Sequence, residues 1–125
     1  MVTAIYAIVL TGFFLVLSWR VIATRRGEQI TYGDNDSKRV HARIRAHANW
    51  AEYVPIALLL MFLAEYQGIS VLWLHVYGII LTVGRVLHGV GMAFVPRLFQ
   101  LRVYGMLLTL IALPIGMILN LTALF

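Results

Sequence analysis

The sequence predicts an all-α integral membrane protein, built as a bundle of four transmembrane helices. Of its 125 residues, 62% are hydrophobic and only 12% are charged, whereas soluble domains average about 45–50% apolar and about 25% charged residues. The mean hydropathy of +0.88 agrees with this contrast. The chain contains four apolar runs, and a bilayer crossing needs roughly 20 mostly apolar residues. At this length we expect a single domain over residues 1–125.

Polar segments separate the four apolar runs and set the predicted helix ends. The first apolar run has neither a basic n-region nor a small-residue cleavage site, so we expect a retained span rather than a signal peptide. Gly, Asn and Asp cluster between about residues 25 and 38, which is typical of a loop. In chain order, the predicted helices cover about residues 2–23, 38–66, 71–93 and 101–124.

Lysine and arginine are distributed unevenly along the chain, which has a net charge of +5. The first and third connections are rich in them, whereas the second connection and both termini have none. This asymmetry follows the positive-inside rule, which places loops one and three in the cytoplasm and both termini outside. We therefore expect a multi-pass membrane protein, and no nucleic-acid partner.

The chain has no cysteine. Disulfides, thiolate metal sites and a cysteine nucleophile are therefore excluded. The four histidines show no HExxH-type pairing, so no metal site is predicted either. Any thiol chemistry would need a thiol that a ligand brings.

A stripe of polar residues marks the second predicted helix. His41, Arg45, Asn49 and Glu52 follow one another at spacings of four, four and three, which puts them on one face. Charged groups in a span cost roughly 2.5–3.5 kcal/mol each on insertion scales, so they usually have a function. One interpretation is a site for a ligand with separated anionic and cationic ends. The other is an internal network in which Arg45 or Arg85 neutralises Glu52.

The third predicted helix adds two polar residues near the same end. Arg85 and His88 are three residues apart and share a face. For each of them, a structural pairing and a ligand contact remain open.

Residues 45–55 resemble the R-x-x-x-N-x-x-E-Y-x-P pattern on the second helix of the MAPEG family, the membrane-associated proteins in eicosanoid and glutathione metabolism. Shorter stretches at residues 21–26, 84–88 and 100–102 are also similar to the family. The resemblance covers nearly the whole chain and is closest to the small bacterial members, which implies a location in the bacterial inner membrane.

The resemblance implies a homotrimer that binds glutathione, as cosubstrate, at each subunit interface near the cytoplasmic side. Arg102 would stabilise the glutathione thiolate, and Arg25 would reach the ligand from the neighbouring subunit. The other glutathione-binding residues carried over by position are Arg45, Asn49, Glu52, Tyr53, Arg85 and His88.

The chain departs from the family at three places. His88 stands where many eukaryotic members have a tyrosine, and Met92 replaces a second tyrosine one turn further on. The stretch from Met92 to Arg102 is also longer than in the leukotriene-forming members. The choice of Arg102 therefore depends on where the gap is placed, and Arg97 is its competitor.

The expected function is transfer of glutathione to hydrophobic electrophiles, or reduction of lipid hydroperoxides, through an arginine-stabilised thiolate. The lipophilic acceptor would arrive through the membrane lipid. A non-catalytic protein that binds lipid or glutathione is one alternative. A small proton-coupled exporter is another, although exporters of that type carry their glutamate on the first helix, and here that helix has none.

Overall fold

A computed structural model describes residues 1–95 and 98–125, and within these residues the chain forms four long α-helices. Each is long and apolar enough to cross a membrane. The predicted all-α, four-span fold class is therefore confirmed. In chain order the helices are α1 (Val2–Gly27), α2 (Lys38–Tyr66), α3 (Val71–Ala93) and α4 (Phe99–Ala123).

The first helix is one turn longer than predicted, so Arg25 and Arg26 lie on α1 rather than in the following loop. No helix-breaking residue stands between Ala23 and Gly27, and the polar residues of this turn are compatible with a helix. The chain leaves the helix at Gln29, whose φ of 55° is left-handed. There the Ile30 N–H donates to the carbonyl of Arg25 at 2.9 Å, which closes the helix end.

The fourth helix also begins earlier than predicted, at Phe99 instead of Leu101. Before Leu101 it is polar only at Gln100, and the Leu101 N–H donates to the Leu98 carbonyl at 3.0 Å. The second helix begins as predicted, because the Ser37 side chain caps it by accepting from the Val40 N–H at 3.3 Å.

Short connections make successive helices antiparallel. Helix α2 packs against the other three, and the contact between α3 and α4 is the most extensive. Within the described residues α1 and α4 do not touch. The end of the bundle where α1 and α3 end and α2 and α4 begin is called the basic end. It carries Arg20, Arg25, Arg26, Lys38, Arg39, Arg43, Arg45 and Arg102.

At the opposite end of the bundle, hydrogen bonds connect α1 to α2 and α3. The Glu65 carboxylate, at the end of α2, accepts hydrogen bonds from the backbone N–H groups of Val2 and Thr3. These donors have no partner inside α1, and a negative charge at a helix N-terminus is stabilising. One turn into α1, the Tyr6 hydroxyl lies 2.9 Å from Nδ1 of His75 on α3.

Helices α3 and α4 approach each other most closely at two glycines. A Cβ atom added to Gly84 would lie 3.0 Å from the Gly105 carbonyl oxygen. A Cβ added to Gly105 would overlap the His88 backbone nitrogen and lie 2.7 Å from the Gly84 oxygen. Small residues at such crossings let two helix backbones pack directly against each other in a membrane. The contact fixes the register of α4 against α3.

Gly105→Ala should therefore lower the free energy of unfolding by about 1–3 kcal/mol, because the added methyl group meets backbone atoms that cannot rotate away. Gly12→Ala is the matched control, since a Cβ at Gly12 meets nothing within 4 Å. In an exposed helix interior this control should be neutral or stabilising by about 0.5–1 kcal/mol. Denaturant unfolding in detergent micelles, followed by circular dichroism, measures both. Equal effects of the two substitutions would contradict the close contact.

Candidate functional site

A cleft of about 410 Å³ opens at the basic end between α2, α3 and α4. Its volume falls within the roughly 300–1,000 Å³ that is typical of small-molecule sites. Its wall combines two arginines, two histidines and an asparagine with two apolar residues, and the name polar cleft is used for it below. The lining residues are His41, Ala42, Arg45, Asn49, His88, Met92 and Arg102.

The contact between α3 and α4 positions two of these side chains. Gly91 has no side chain, and a Cβ there would lie 2.9 Å from the Arg102 backbone nitrogen, so the first turn of α4 packs directly on α3. The His88 ring Nδ1 lies 3.1 Å from the Arg102 carbonyl oxygen. Because a carbonyl only accepts, Nδ1 carries the proton in this contact, and Nε2 bears the lone pair of the neutral ring.

Two nitrogen atoms at the cleft are buried without a partner among the described residues. They are Nε2 of His88 and Nε of Arg102. Buried polar atoms in native proteins are nearly always hydrogen-bonded, and unpaired ones cluster where a ligand or water completes the network. The unpaired N–H of Arg102 is suited to an anionic group of a ligand, and the lone pair on His88 Nε2 is suited to a hydrogen-bond donor.

Below the cleft, Arg85 is completely buried, with 0% of its surface exposed. Its Nε donates to the Thr109 hydroxyl on α4 and one terminal nitrogen donates to the Asn49 side-chain oxygen on α2, both at 2.8 Å. Its guanidinium carbon lies 5.1 Å from the centre of the Tyr53 ring, a cation–π distance. Arg85 therefore joins α2, α3 and α4.

No carboxylate forms a salt bridge with Arg85 or with Arg45 within residues 1–95 and 98–125. The internal network in which either arginine neutralises Glu52 is therefore absent from this part of the chain. Glu52 is exposed instead. Arg85 donates hydrogen bonds to neutral acceptors, and one of them is the Asn49 side-chain oxygen. The Asn49 amide NH₂ group remains available as a donor at the polar cleft.

The structure brings only part of the predicted site together in one subunit. Arg45, Asn49, His88 and Arg102 line the polar cleft, while Arg85 and Tyr53 form the layer beneath it. Glu52 follows Asn49 on α2 but does not line the cleft.

Two further predicted residues stand apart from this group. Arg25 is half-buried on α1, which makes no contact with α4 in the described part of the chain, and it does not line the cleft. Arg97 lies outside the described residues, so the choice between Arg97 and Arg102 stays a prediction.

The loop before α2 contributes to the rim of the cleft through one hydrogen bond. The His41 Nδ1 atom lies 2.5 Å from a carboxylate oxygen of Asp34. This hydrogen bond lowers the pKa of the Asp34 carboxyl. Asp34 is therefore charged at neutral pH, and its contribution to holding the loop is lost only as the pH falls through this lowered pKa.

A second groove adjoins the polar cleft and was not predicted as such. It has a volume of about 320 Å³ and a largely apolar wall. His88 and Arg102 line both spaces, so these two side chains form the boundary between them. The name apolar groove is used for it below. Its lining residues are His88, Phe99, Arg102, Val103, Met106 and Leu107.

Thr109 is the other residue that the sequence analysis missed. It is fully buried, and its hydroxyl donates to the Gly105 carbonyl at 2.9 Å while accepting from Arg85. The signal in the sequence is weak: a polar residue four positions after a glycine, which shares a helix face with it.

Thr109→Val should lower the free energy of unfolding by about 1.5–3 kcal/mol, because it leaves a buried guanidinium N–H without an acceptor. In an Arg85→Met background the same substitution should cost less than about 1 kcal/mol, since the unpaired donor is then gone. Thr122→Val is the control, because Thr122 is exposed on α4 and donates only to the Leu119 carbonyl. Denaturant unfolding of the four variants of the cycle provides the coupling energy. A value near zero would show that the buried bond is not formed.

Comparison with known proteins agrees with the resemblance carried by the second helix. Residues 3–122 match the MAPEG family. The chain is also 36% identical over 121 residues to "Inner membrane protein YecN" of Escherichia coli strain K12, an alignment that covers 97% of this chain and 91% of that protein. The protein of the same name from Escherichia coli O6:H1 strain CFT073 matches equally well.

No solved structure matches the chain. The family match covers nearly all of the sequence, and the relatives are named as proteins of the inner membrane. Together with the four apolar helices, these findings show that the chain is a multi-pass inner-membrane protein and belongs to the MAPEG family.

Proposed function

We propose that the protein binds glutathione in the polar cleft and uses the glutathione thiol on hydrophobic acceptors, as a transferase or as a lipid hydroperoxide peroxidase. One observation carries this proposal. A cleft lined by cationic and amide groups adjoins an apolar groove, and Arg102 and His88 line both. Such a boundary is where a polar nucleophile and an apolar acceptor would meet.

The charges of glutathione fit the polar residues of α2. The tripeptide has two carboxylates and one ammonium group, and Arg45 and Asn49 offer donors for a carboxylate. Glu52 lies two turns beyond Arg45, about 10 Å along the helix axis at 1.5 Å per residue. An extended tripeptide spans about that distance at roughly 3.3–3.6 Å per residue. We assign the ammonium group to Glu52.

Arg102 is assigned to the thiol. A cationic neighbour favours a thiolate over a thiol, which has a pKa of about 8.5 in its free form. Transfer to an electrophile forms a carbon–sulfur bond as the leaving group departs with its electron pair, and the thiol proton is released. The protein contributes the lowered thiol pKa and the alignment of the two reactants.

Reduction of a hydroperoxide would use the same thiolate. Sulfur attacks the terminal peroxide oxygen, the O–O bond breaks, and the alcohol leaves after taking up a proton. A second glutathione then displaces water from the oxidised sulfur and forms the disulfide. The balance is two thiols and one hydroperoxide to one disulfide, one alcohol and one water.

The proposed assembly is a homotrimer with loops one and three in the cytoplasm. Two features of the single chain support an interface at the cleft. Glu52 is exposed at the level of the spans, and Arg25 lies on a helix that does not reach α4 within the described residues. A neighbouring subunit would bring its Arg25 to the cleft and cover Glu52.

Titration of the detergent-purified protein with glutathione should produce a saturable ultraviolet thiolate band near neutral pH. Arg102→Ala should raise the pKa of the bound thiol by about 1 to 3 and diminish the band, because the positive charge beside the sulfur is lost. Turnover with a hydrophobic electrophile should fall at least about tenfold, since each change of 1.36 kcal/mol in a barrier is tenfold in rate. Binding measured by calorimetry should change much less.

Arg26→Ala is the control for this experiment, because Arg26 is exposed on α1 and lines neither space. Binding without a thiolate band in the unmodified protein would favour a non-catalytic binder. No binding at all would reject the proposal.

Glu52→Gln should weaken glutathione binding about 10-fold or more, because an amide cannot pair with the ammonium group as a carboxylate does. Calorimetry measures this loss, and a glutathione analogue without the amino group should bind both proteins equally. If Glu52→Gln instead leaves binding unchanged and abolishes proton-driven export from vesicles, the exporter interpretation holds.

A further inference from the structure

A second cationic site lies at the basic end, beside the polar cleft. It is a groove of about 360 Å³ between the start of α2 and the end of α3, and is called the basic groove here. Its wall combines three cationic side chains with an apolar floor. The lining residues are Lys38, Arg39, Ala42, Arg43, Met92, Ala93 and Phe94.

The basic groove is held in place by α1. The Arg20 guanidinium stacks 3.9 Å from the Phe94 ring centre and donates to the Ala93 carbonyl at 3.1 Å. Arg43 donates to the Thr24 hydroxyl, and that hydroxyl donates to the Arg20 carbonyl at 2.6 Å. Two arginines on different helices are thereby fixed against one another rather than free in solvent.

Like charges are crowded at this groove. Arg43 is partly buried, the positive charges of Arg20 and Arg39 oppose its own charge, and the negative charge of Glu28 favours it. A fixed group of cations is stabilised by an anion, whereas isolated positive-inside anchors need none.

The depth of the groove indicates the source of that anion. The uncharged stretch from Val2 to Trp19 rises about 27 Å at 1.5 Å per residue, close to the roughly 30 Å of a hydrocarbon core. Arg20, the next residue, therefore lies at the level of the lipid headgroups. The apolar floor of the groove is at the same level because Arg20 contacts Ala93 and Phe94 directly.

We propose that the basic groove binds an anionic phospholipid, with the phosphate between Arg39, Arg43 and Lys38 and the start of an acyl chain on Met92 and Phe94. Basic pockets between helices at the cytoplasmic side of membrane proteins are suited to such headgroups. The apolar floor favours a lipid over free phosphate, which would leave that floor exposed to water. This site does not depend on the glutathione proposal, because its three cationic residues do not line the polar cleft.

The test is native mass spectrometry of the full chain, released from detergent after incubation with an equimolar mixture of phosphatidylglycerol and phosphatidylcholine. We expect retention of phosphatidylglycerol in preference to phosphatidylcholine. Arg39→Gln and Arg43→Gln should each reduce the affinity for phosphatidylglycerol about 5-fold, and the double variant about 30-fold. Arg39 is exposed, so its variant tests the site even if Arg43→Gln, which also loses its bond to Thr24, folds poorly.

Arg26→Gln is the charge-matched control, since it removes one positive charge from the basic end outside the groove. If it weakens binding as much as Arg39→Gln, attraction is general and the proposed site is wrong. Competition by millimolar inorganic phosphate would identify a free-phosphate site and overturn the lipid assignment. Equal retention of the two lipids would overturn it as well.

Discussion

The contact of α3 with α4 at Gly84 and Gly105 is the constraint on which the rest of the basic end depends. It brings two backbones together without intervening side chains, so the register of α4 cannot slide. That register puts the Thr109 hydroxyl within hydrogen-bond distance of Arg85 and the Arg102 carbonyl within reach of the His88 ring. The buried cation, the wall of the polar cleft and the boundary with the apolar groove all follow from one close approach.

The spans could be predicted from the sequence because apolar runs of this length rarely form anything but membrane-spanning helices. The polar face of α2 could be predicted because its polar residues are spaced at the helical period. The hydrogen-bond partner of Arg85 on α4 could not be predicted from the sequence. Finding it requires knowing which face of α4 meets α3, and that depends on glycine contacts between residues more than 20 positions apart. Glu52 was a plausible partner on charge alone, but helix packing places Asn49 and Thr109 against the guanidinium instead. The end of α1 was missed for a simpler reason, since arginines continue a helix as readily as they populate a loop.

Helix α2 separates its cations into two groups. Arg45 faces the polar cleft beside Asn49, whereas Arg39 and Arg43 face the basic groove beside Phe94, with Ala42 at the edge of both. A small residue at the edge leaves room for two anionic ligands side by side, and the methionine at position 92 lines both spaces as well. Met92 thus gives the polar cleft and the basic groove a shared, flexible apolar surface.

The Glu65 carboxylate that accepts from Val2 and Thr3 has a consequence for the order of membrane insertion. The two donors are at the start of α1, and their acceptor, Glu65, follows Val2 by 63 residues in the chain. During synthesis α1 therefore enters the bilayer with its leading backbone groups bonded only to water or headgroups, and it is completed when α2 has crossed in the opposite direction. The first two helices thus form an interdependent hairpin.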